Sequence, residues 1–269
     1  MKRDLINLYS VNLKYNRDLH NADDNVMSIS PQIKKDTRVF VGIIVLVNNK
    51  KYCIPLTSNK EKFNIKSKED FIKIPHPSNK NENGAPQTIA VLNLNNMIPV
   101  ADFLVQKVDL SKKQPKQNLM INELKWCRDN SQVIINRANK IYNKVTQTPQ
   151  KDVHLVRRCC DFQKLEKVLE KWIEKEYKRC NDVLDRNPVL KSKLDAAATQ
   201  YNRKHNLTPL GNTATAEERC ERRAMVLNEN PELKSELEKA EKEFDNKPVH
   251  DNKPVQKQSQ TSSKPKHRR

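Results

Sequence analysis

The chain has 269 residues, with 51 Lys and Arg against 33 Asp and Glu, a formal net charge of +18. That imbalance points to a polyanionic partner, nucleic acid first and an anionic membrane surface second. Only 3 Gly occur, which excludes a glycine-rich phosphate loop or dinucleotide fold. No apolar run approaches the ~18–20 residues of a membrane span, and Met1–Asp4 leads into no signal-peptide core, so a cytoplasmic protein without membrane contact is expected. The hydrophobic content of 36% and aromatic content of 5% predict one modest core with poorly packed extensions.

In chain order, short strands are predicted at Leu5–Val11, Val39–Val47, Tyr52–Leu56, Asp70–Ile74, Thr88–Leu94 and Ile98–Val108. Asp18–Lys35 and Pro75–Gln87 read as long basic loops, the second carrying an Asn83–Gly84 turn. Many short strands of uneven length suggest a compact, partly open antiparallel barrel in an α+β protein. From Gln117 the period becomes helical. Ile134, Ala138, Ile141 and Val145 mark one face of a long helix that also holds Leu124, Arg128, Asn130, Ser131 and Arg137. A second stripe runs from Phe162 through Leu165, Leu169 and Ile173 to Tyr177, with Asp161 as its N-cap.

Residues 173–245 contain an internal repeat. VLDRNPVLKSKLDAAATQY (183–201) aligns with VLNENPELKSELEKAEKEF (226–244). Asn187–Pro188 and Asn230–Pro231 each read as an N-cap followed by proline at the first helical position. The predicted unit is a helix end, a tight turn and a second helix. Residues 246–269 hold seven Lys or Arg against one Asp, net +6, without apolar periodicity, and read as a disordered basic tail.

The six cysteines form no CxxC pair. Cys53 and Cys127 lie on apolar faces, and the spacing of Cys159, Cys160, Cys180, His205 and Cys220 is irregular. Reduced structural thiols are expected, with no metal ion and no cofactor. The chemically suggestive cluster is Thr57, Ser58, Asn59 and Lys60, expected in the polar turn where the Tyr52–Leu56 strand ends. Hydroxyls donate to phosphate oxygens and an ammonium neutralises their charge, so the cluster suits a phosphodiester. Metal-independent RNA cleavage needs an aligned 2′-OH, stabilised charge on the phosphorane, and proton transfer. Thr57 and Ser58 are placed for the first two tasks. Lys60 can stabilise charge or help to protonate the leaving 5′-oxygen.

An ordered series of short segments carries a family resemblance: Leu8–Val11 with Lys14–Tyr15, Phe40–Ile43, Lys51–Tyr52, Pro55–Ser58 with Lys60, and Glu82–Gly84 with Pro86. It continues through Leu92–Leu94, Met97–Val100, Leu124, Arg128, Asn130 and Ser131 to Cys160, Phe162, Leu165 and Glu166. Over about residues 5–172 the chain resembles the toxins of type III toxin–antitoxin systems, the ToxN/AbiQ endoribonuclease family. The resemblance implies a β-barrel core related to the Kid/MazF toxins and decorated by helices. It also implies cleavage of cellular or phage mRNA to a 2′,3′-cyclic phosphate and a 5′-OH. The implied partner is a repeat RNA antitoxin folded as a pseudoknot, cut from its precursor by the toxin and held with it in a closed protein–RNA oligomer. The implied physiology is phage defence by abortive infection.

The resemblance puts the functional hydroxyls and lysine at Thr57, Ser58 and Lys60, and a basic residue at Arg38, which cannot act as a general acid. The tyrosine expected upstream of Arg38 is absent, since the chain reads Gln32–Ile33–Lys34–Lys35 there. RNA contacts are expected from Lys34, Lys35, Lys50, Lys51, Lys62, Lys66 and Lys68 around the cluster, and from Arg128. Phe63 is a candidate for stacking on a splayed base, His76 for acid–base work, and Asn93 for a polar contact beside the site. The three expected units are residues 1–172, 173–245 and 246–269. The competing reading is a non-catalytic RNA- or DNA-binding regulatory or mobilisation protein.

Overall fold

The computed structural model describes residues 6–28, 40–43, 50–58, 69–80, 83–111 and 115–246. Seven strands follow one another as β1 (Asn7–Val11), β2 (Phe40–Ile43), β3 (Lys51–Ser58), β4 (Phe71–Lys80), β5 (Pro86–Asn93), β6 (Ile98–Val100) and β7 (Val105–Lys107). Every pairing is antiparallel, in the order β4-β5-β3-β2-β1-β7, with β6 also on β3. The sheet path is open: among the described residues no ladder joins β4 to β7, so the expected barrel is not closed.

β3 organises the sheet. One edge pairs with β2 (Phe40↔Pro55, Ile43↔Tyr52). The other edge changes partner, from β6 (Cys53↔Ile98) to β5 (Leu56↔Leu92). Pro55, which has no N–H, falls between those two ladders, where it removes no ladder bond from β5 or β6.

Three expectations need correction. A helix α1 (Leu13–Ala22) occupies the start of the region read as loop from Asp18. It buries Tyr15, Asn16 and Leu19 and is capped by Asn12, whose side chain accepts from the Lys14 and Tyr15 amides. The basic loop after Ile74 is instead a β-hairpin, because β4 continues through Pro75, His76 and Pro77 to Lys80. The strands rejoin with Lys80 opposite Pro86, and Gly84 takes the left-handed φ of +74° that the turn requires. The single long helix is two, α2 (Pro115–Asp129) and α3 (Ser131–Gln147). Asn130 lies between them and donates its side-chain amide back to the Trp126 carbonyl at 2.9 Å.

After α4 (Val153–Val156) comes α5 (Phe162–Asp185), with Asp161 accepting from the Lys164 amide at 3.0 Å as its N-cap. Its first half buries Phe162, Leu165, Leu169 and Ile173 in the main core against the sheet and α3. Its last turns bury Cys180, Val183 and Leu184 in a second core shared with α6 (Pro188–Lys204), α7 (Ala216–Glu229) and α8 (Pro231–Asn246). α5 therefore passes through residue 172 without a break.

The repeat is structural. Val183 and Val226, Leu190 and Leu233, and Leu194 and Leu237 are all buried in the second core. Asn187 and Asn230 occupy the residue before each helix, but their side chains turn backward, donating to the Val183 and Val226 carbonyls at 2.7 Å each. Each Asn closes the preceding helix, while Pro188 and Pro231 open the next. α7 also docks on the main core through Ala216 and Cys220. Residues 247–269, most of the expected tail, lie outside the described residues.

Candidate active site

Thr57 and Ser58 are the last two residues of β3, paired with Val91 and Ala90 of β5. The strand thus runs two residues past Leu56, and the Thr57 hydroxyl belongs to a sheet rather than a turn. Register does the rest. With Leu56 opposite Leu92, Asn93 falls diagonally from Thr57, within reach of its side chain. Asn93, 6% exposed, donates from its carboxamide Nδ2 to Thr57 Oγ1 at 3.0 Å. Its Nδ2 also lies 3.5 Å from the Pro55 carbonyl. The Thr57 hydroxyl lies 3.5 Å from the Val91 carbonyl. Asn93, the candidate for a polar contact beside the site, is buried and engaged with Thr57.

The Ser58 side chain lies outside the described residues, as do Lys60, Arg38, Lys34, Lys35, Lys62, Phe63, Lys66 and Lys68. His76 sits on the β4–β5 overhang at the same end of the sheet. Ala90 pairs with both Ser58 and Ile74, so Ile74 is two strand spacings, about 10 Å, from Ser58, and His76 follows two residues later. Its Nδ1 accepts from the Ser78 and Asn79 amides at 3.1 and 2.8 Å, which leaves Nε2 as the nitrogen able to face a ligand.

Lys50, Lys51 and Arg128 do other work. Lys50 Nζ is 3.1 Å from both Glu166 Oε2 and Glu170 Oε1. Lys51 Nζ is 2.9 Å from Asp102 Oδ2 and 3.2 Å from Glu221 Oε1 of α7. Burial acts to lower both lysine pKa values, but the carboxylate bonds and charges outweigh it and hold both above the ordinary range. Arg128 donates from Nε to the Ile6 carbonyl at 3.0 Å and from a terminal nitrogen to Asn7 Oδ1 at 2.7 Å. Among the described residues, all three cations, expected to contact RNA, are paired with groups of the fold.

Under β3 lies a polar network that the residue pattern does not disclose. Glu166 Oε1 accepts from Tyr52 Oη at 2.7 Å and from Tyr142 Oη at 3.0 Å, while Oε2 takes Lys50. Burial and the adjacent carboxylate raise both phenol pKa values, Tyr142 to about 12. All six cysteines are unpaired, five of them buried, and burial raises their thiol pKa values. Among the described residues no three His, Cys, Asp or Glu side chains gather as a metal group, and no helix is long and apolar enough to cross a membrane.

Residues 7–170 match the family model described as Toxin ToxN, type III toxin–antitoxin system. The chain is 28% identical over 181 residues to endoribonuclease ToxN of Bacillus thuringiensis subsp. kurstaki, covering 65% of this chain and 88% of that protein. It is 27% identical, with a TM-score of 0.53, to a solved chain from a study of selective toxin inhibition by a non-coding RNA pseudoknot in bacterial type III toxin–antitoxin systems; the match covers 63% of this chain and 98% of that one. A second solved chain, from a bacterial antiviral system regulated by a processed non-coding RNA, is 26% identical with a TM-score of 0.51, over 60% of this chain and 95% of that one.

Proposed function

The chain belongs to the ToxN toxins of type III toxin–antitoxin systems, which are endoribonucleases, and we propose that it cuts RNA at the C-terminal end of β3. The observation that carries this site is the Thr57 hydroxyl, held by a buried amide at the end of the central strand and followed directly by Ser58. Cleavage proceeds by attack of the 2′-oxygen on phosphorus and departure of the 5′-oxygen, leaving a 2′,3′-cyclic phosphate and a 5′-OH without a metal ion. Thr57 and Ser58 donate to the phosphate oxygens, and Lys60 and Arg38 offset the phosphorane charge. Lys34, Lys35, Lys62, Lys66, Phe63 and His76 supply contacts to the flanking nucleotides.

The partner is a repeat RNA with a pseudoknot fold that inhibits the toxin and is processed by it, the complex closing into a protein–RNA oligomer in the cytoplasm. The setting is phage defence by abortive infection, and the substrate is cellular or phage mRNA cut at a preferred sequence. The antiparallel sheet is the open counterpart of the barrel-like Kid/MazF core. Residues 1–172 form the endoribonuclease unit, 173–245 a helical extension and 246–269 a basic tail. The extension's fourteen Lys and Arg balance its fifteen Asp and Glu, so phosphate attraction resides in the other two units.

The test is cleavage of a labelled RNA by purified protein in EDTA, with an all-DNA oligonucleotide of the same sequence as control. The expected result is 5′-OH ends on RNA only, and loss of about 10²–10³ in rate on Ser58→Ala with folding unchanged. Full activity of Ser58→Ala, or activity abolished by chelator and restored by Mg²⁺, would sink the reading.

A further inference from the structure

We propose that Asn93 is a positioning residue for cleavage, its buried carboxamide presenting the Thr57 hydroxyl to the scissile phosphate as a hydrogen-bond donor. The inference rests on the reading of the β3 end as the active site, and adds a residue that acts there without touching RNA. A hydroxyl has one proton and two lone pairs, so its useful direction depends on which neighbour claims which. Asn93 Nδ2 lies 3.0 Å from Thr57 Oγ1 and 3.5 Å from the Pro55 carbonyl. A carbonyl can only accept, so the amide end facing both atoms is the nitrogen. Thr57 Oγ1 is therefore the acceptor from Asn93, and its own proton must go elsewhere.

Among the described residues that proton faces only a weak partner. The Val91 carbonyl is 3.5 Å away, at the outer limit of a hydrogen bond. A phosphate oxygen arriving at the strand end offers a shorter and charge-assisted acceptor. The reverse polarity would be unproductive: with an acceptor in place of Nδ2, the Thr57 proton would turn inward and a lone pair would face the anionic phosphate. Asn93 is 6% exposed and its Cα partner on β4 is Phe71, so it is sealed behind the site. Its contribution is to orientation, which rate responds to more than ground-state binding does.

The experiment is steady-state cleavage of one labelled transcript that the wild-type chain cuts, with thermal unfolding recorded for each variant. Asn93→Leu is expected to lower kcat by about 10–100-fold with KM within about twofold. In a Thr57→Val background the same change should add nothing, whereas in a Thr57→Ser background, which keeps the hydroxyl, the full loss should reappear. A purely structural role for Asn93 predicts equal losses in both backgrounds, and that result overturns the proposal. Asn93→Asp gives a second readout that does not need Asn93→Leu to fold. Its ionised carboxylate accepts from Thr57, while its protonated form donates, so activity relative to wild type should recover as pH falls through the carboxyl pKa. A pH-independent ratio refutes the assignment. Wild-type activity of Thr57→Val would remove the active-site reading itself, whereas an impaired Thr57→Val beside a fully active Asn93→Leu removes only the role of Asn93.

Discussion

Glu166 offers a direct test of how the strand beneath the site is held. Its carboxylate takes two phenol hydroxyls, from Tyr52 of β3 and Tyr142 of α3, and the Lys50 ammonium. Tyr52 is 1% exposed and Tyr142 4%, so removal of the carboxylate leaves two buried donors without their acceptor, each worth about 1–3 kcal/mol. Lys50 keeps Glu170 at 3.1 Å, and its contribution is small. Glu166→Ala should therefore destabilise by about 3–5 kcal/mol, a large share of the ~5–15 kcal/mol typical of a folded protein. Urea unfolding followed by circular dichroism should show the midpoint falling with the slope unchanged. In a Tyr52→Phe/Tyr142→Phe background no hydroxyl remains to be orphaned, and Glu166→Ala should cost only about 1–2 kcal/mol. A shift under about 0.5 kcal/mol in the native background, or equal shifts in both, would refute the network.

Glu123 of α2 is 5% exposed, and burial raises its pKa from 4.5 to about 7. The folded chain keeps a proton that the unfolded chain releases above about pH 4.5, so stability falls as pH rises from about 4.5 to about 7. Glu123→Gln should remove that decline, gaining up to about 3 kcal/mol at pH 8 and almost nothing at pH 4; an equal effect of the substitution at both pH values would contradict it. Deletion of 246–269, with its net charge of +6, should flatten the log–log salt dependence of RNA binding by up to about 4, at about 0.7 per phosphate on single strands. The cut site should stay the same, and a changed site would mean that the tail selects sequence.

What was legible in the sequence was local. The α5 stripe with its Asp161 cap, and the paired Asn–Pro turns, depend on neighbours within a few residues, and the periodicity records them directly. The β4–β5 hairpin was hidden by Pro75 and Pro77, which argue against a strand interior. β4 is the terminal strand of the sheet path, where a proline that donates nothing on the outer side removes no ladder bond. α1 was hidden by its polarity, since only Tyr15, Asn16 and Leu19 of its ten residues are buried. At the site, Thr57 and Ser58 stand out as hydroxyls after an apolar strand, but the Asn93 contact depends on the β3–β5 register across 36 residues. No local pattern encodes that register.

The same geometry separates the contacts of the helical extension from the proposed site. β3 is gripped at its start, where Lys51 meets Glu221 of α7 and Lys50 and Tyr52 meet Glu166. The candidate residues are at its other end. From Lys51 to Ser58 is seven residues, roughly 23 Å at the rise of a strand. α7 reaches the sheet through the first of these ends, with Ala216 and Cys220 on the main core beside it. The extension therefore bears on the stability and alignment of β3 from its start, and a nucleic acid lying across the Thr57–Ser58 end of β3 does not have to displace it. Its charge balance fits that position, because helices that faced the phosphates would be expected to carry an excess of Lys and Arg.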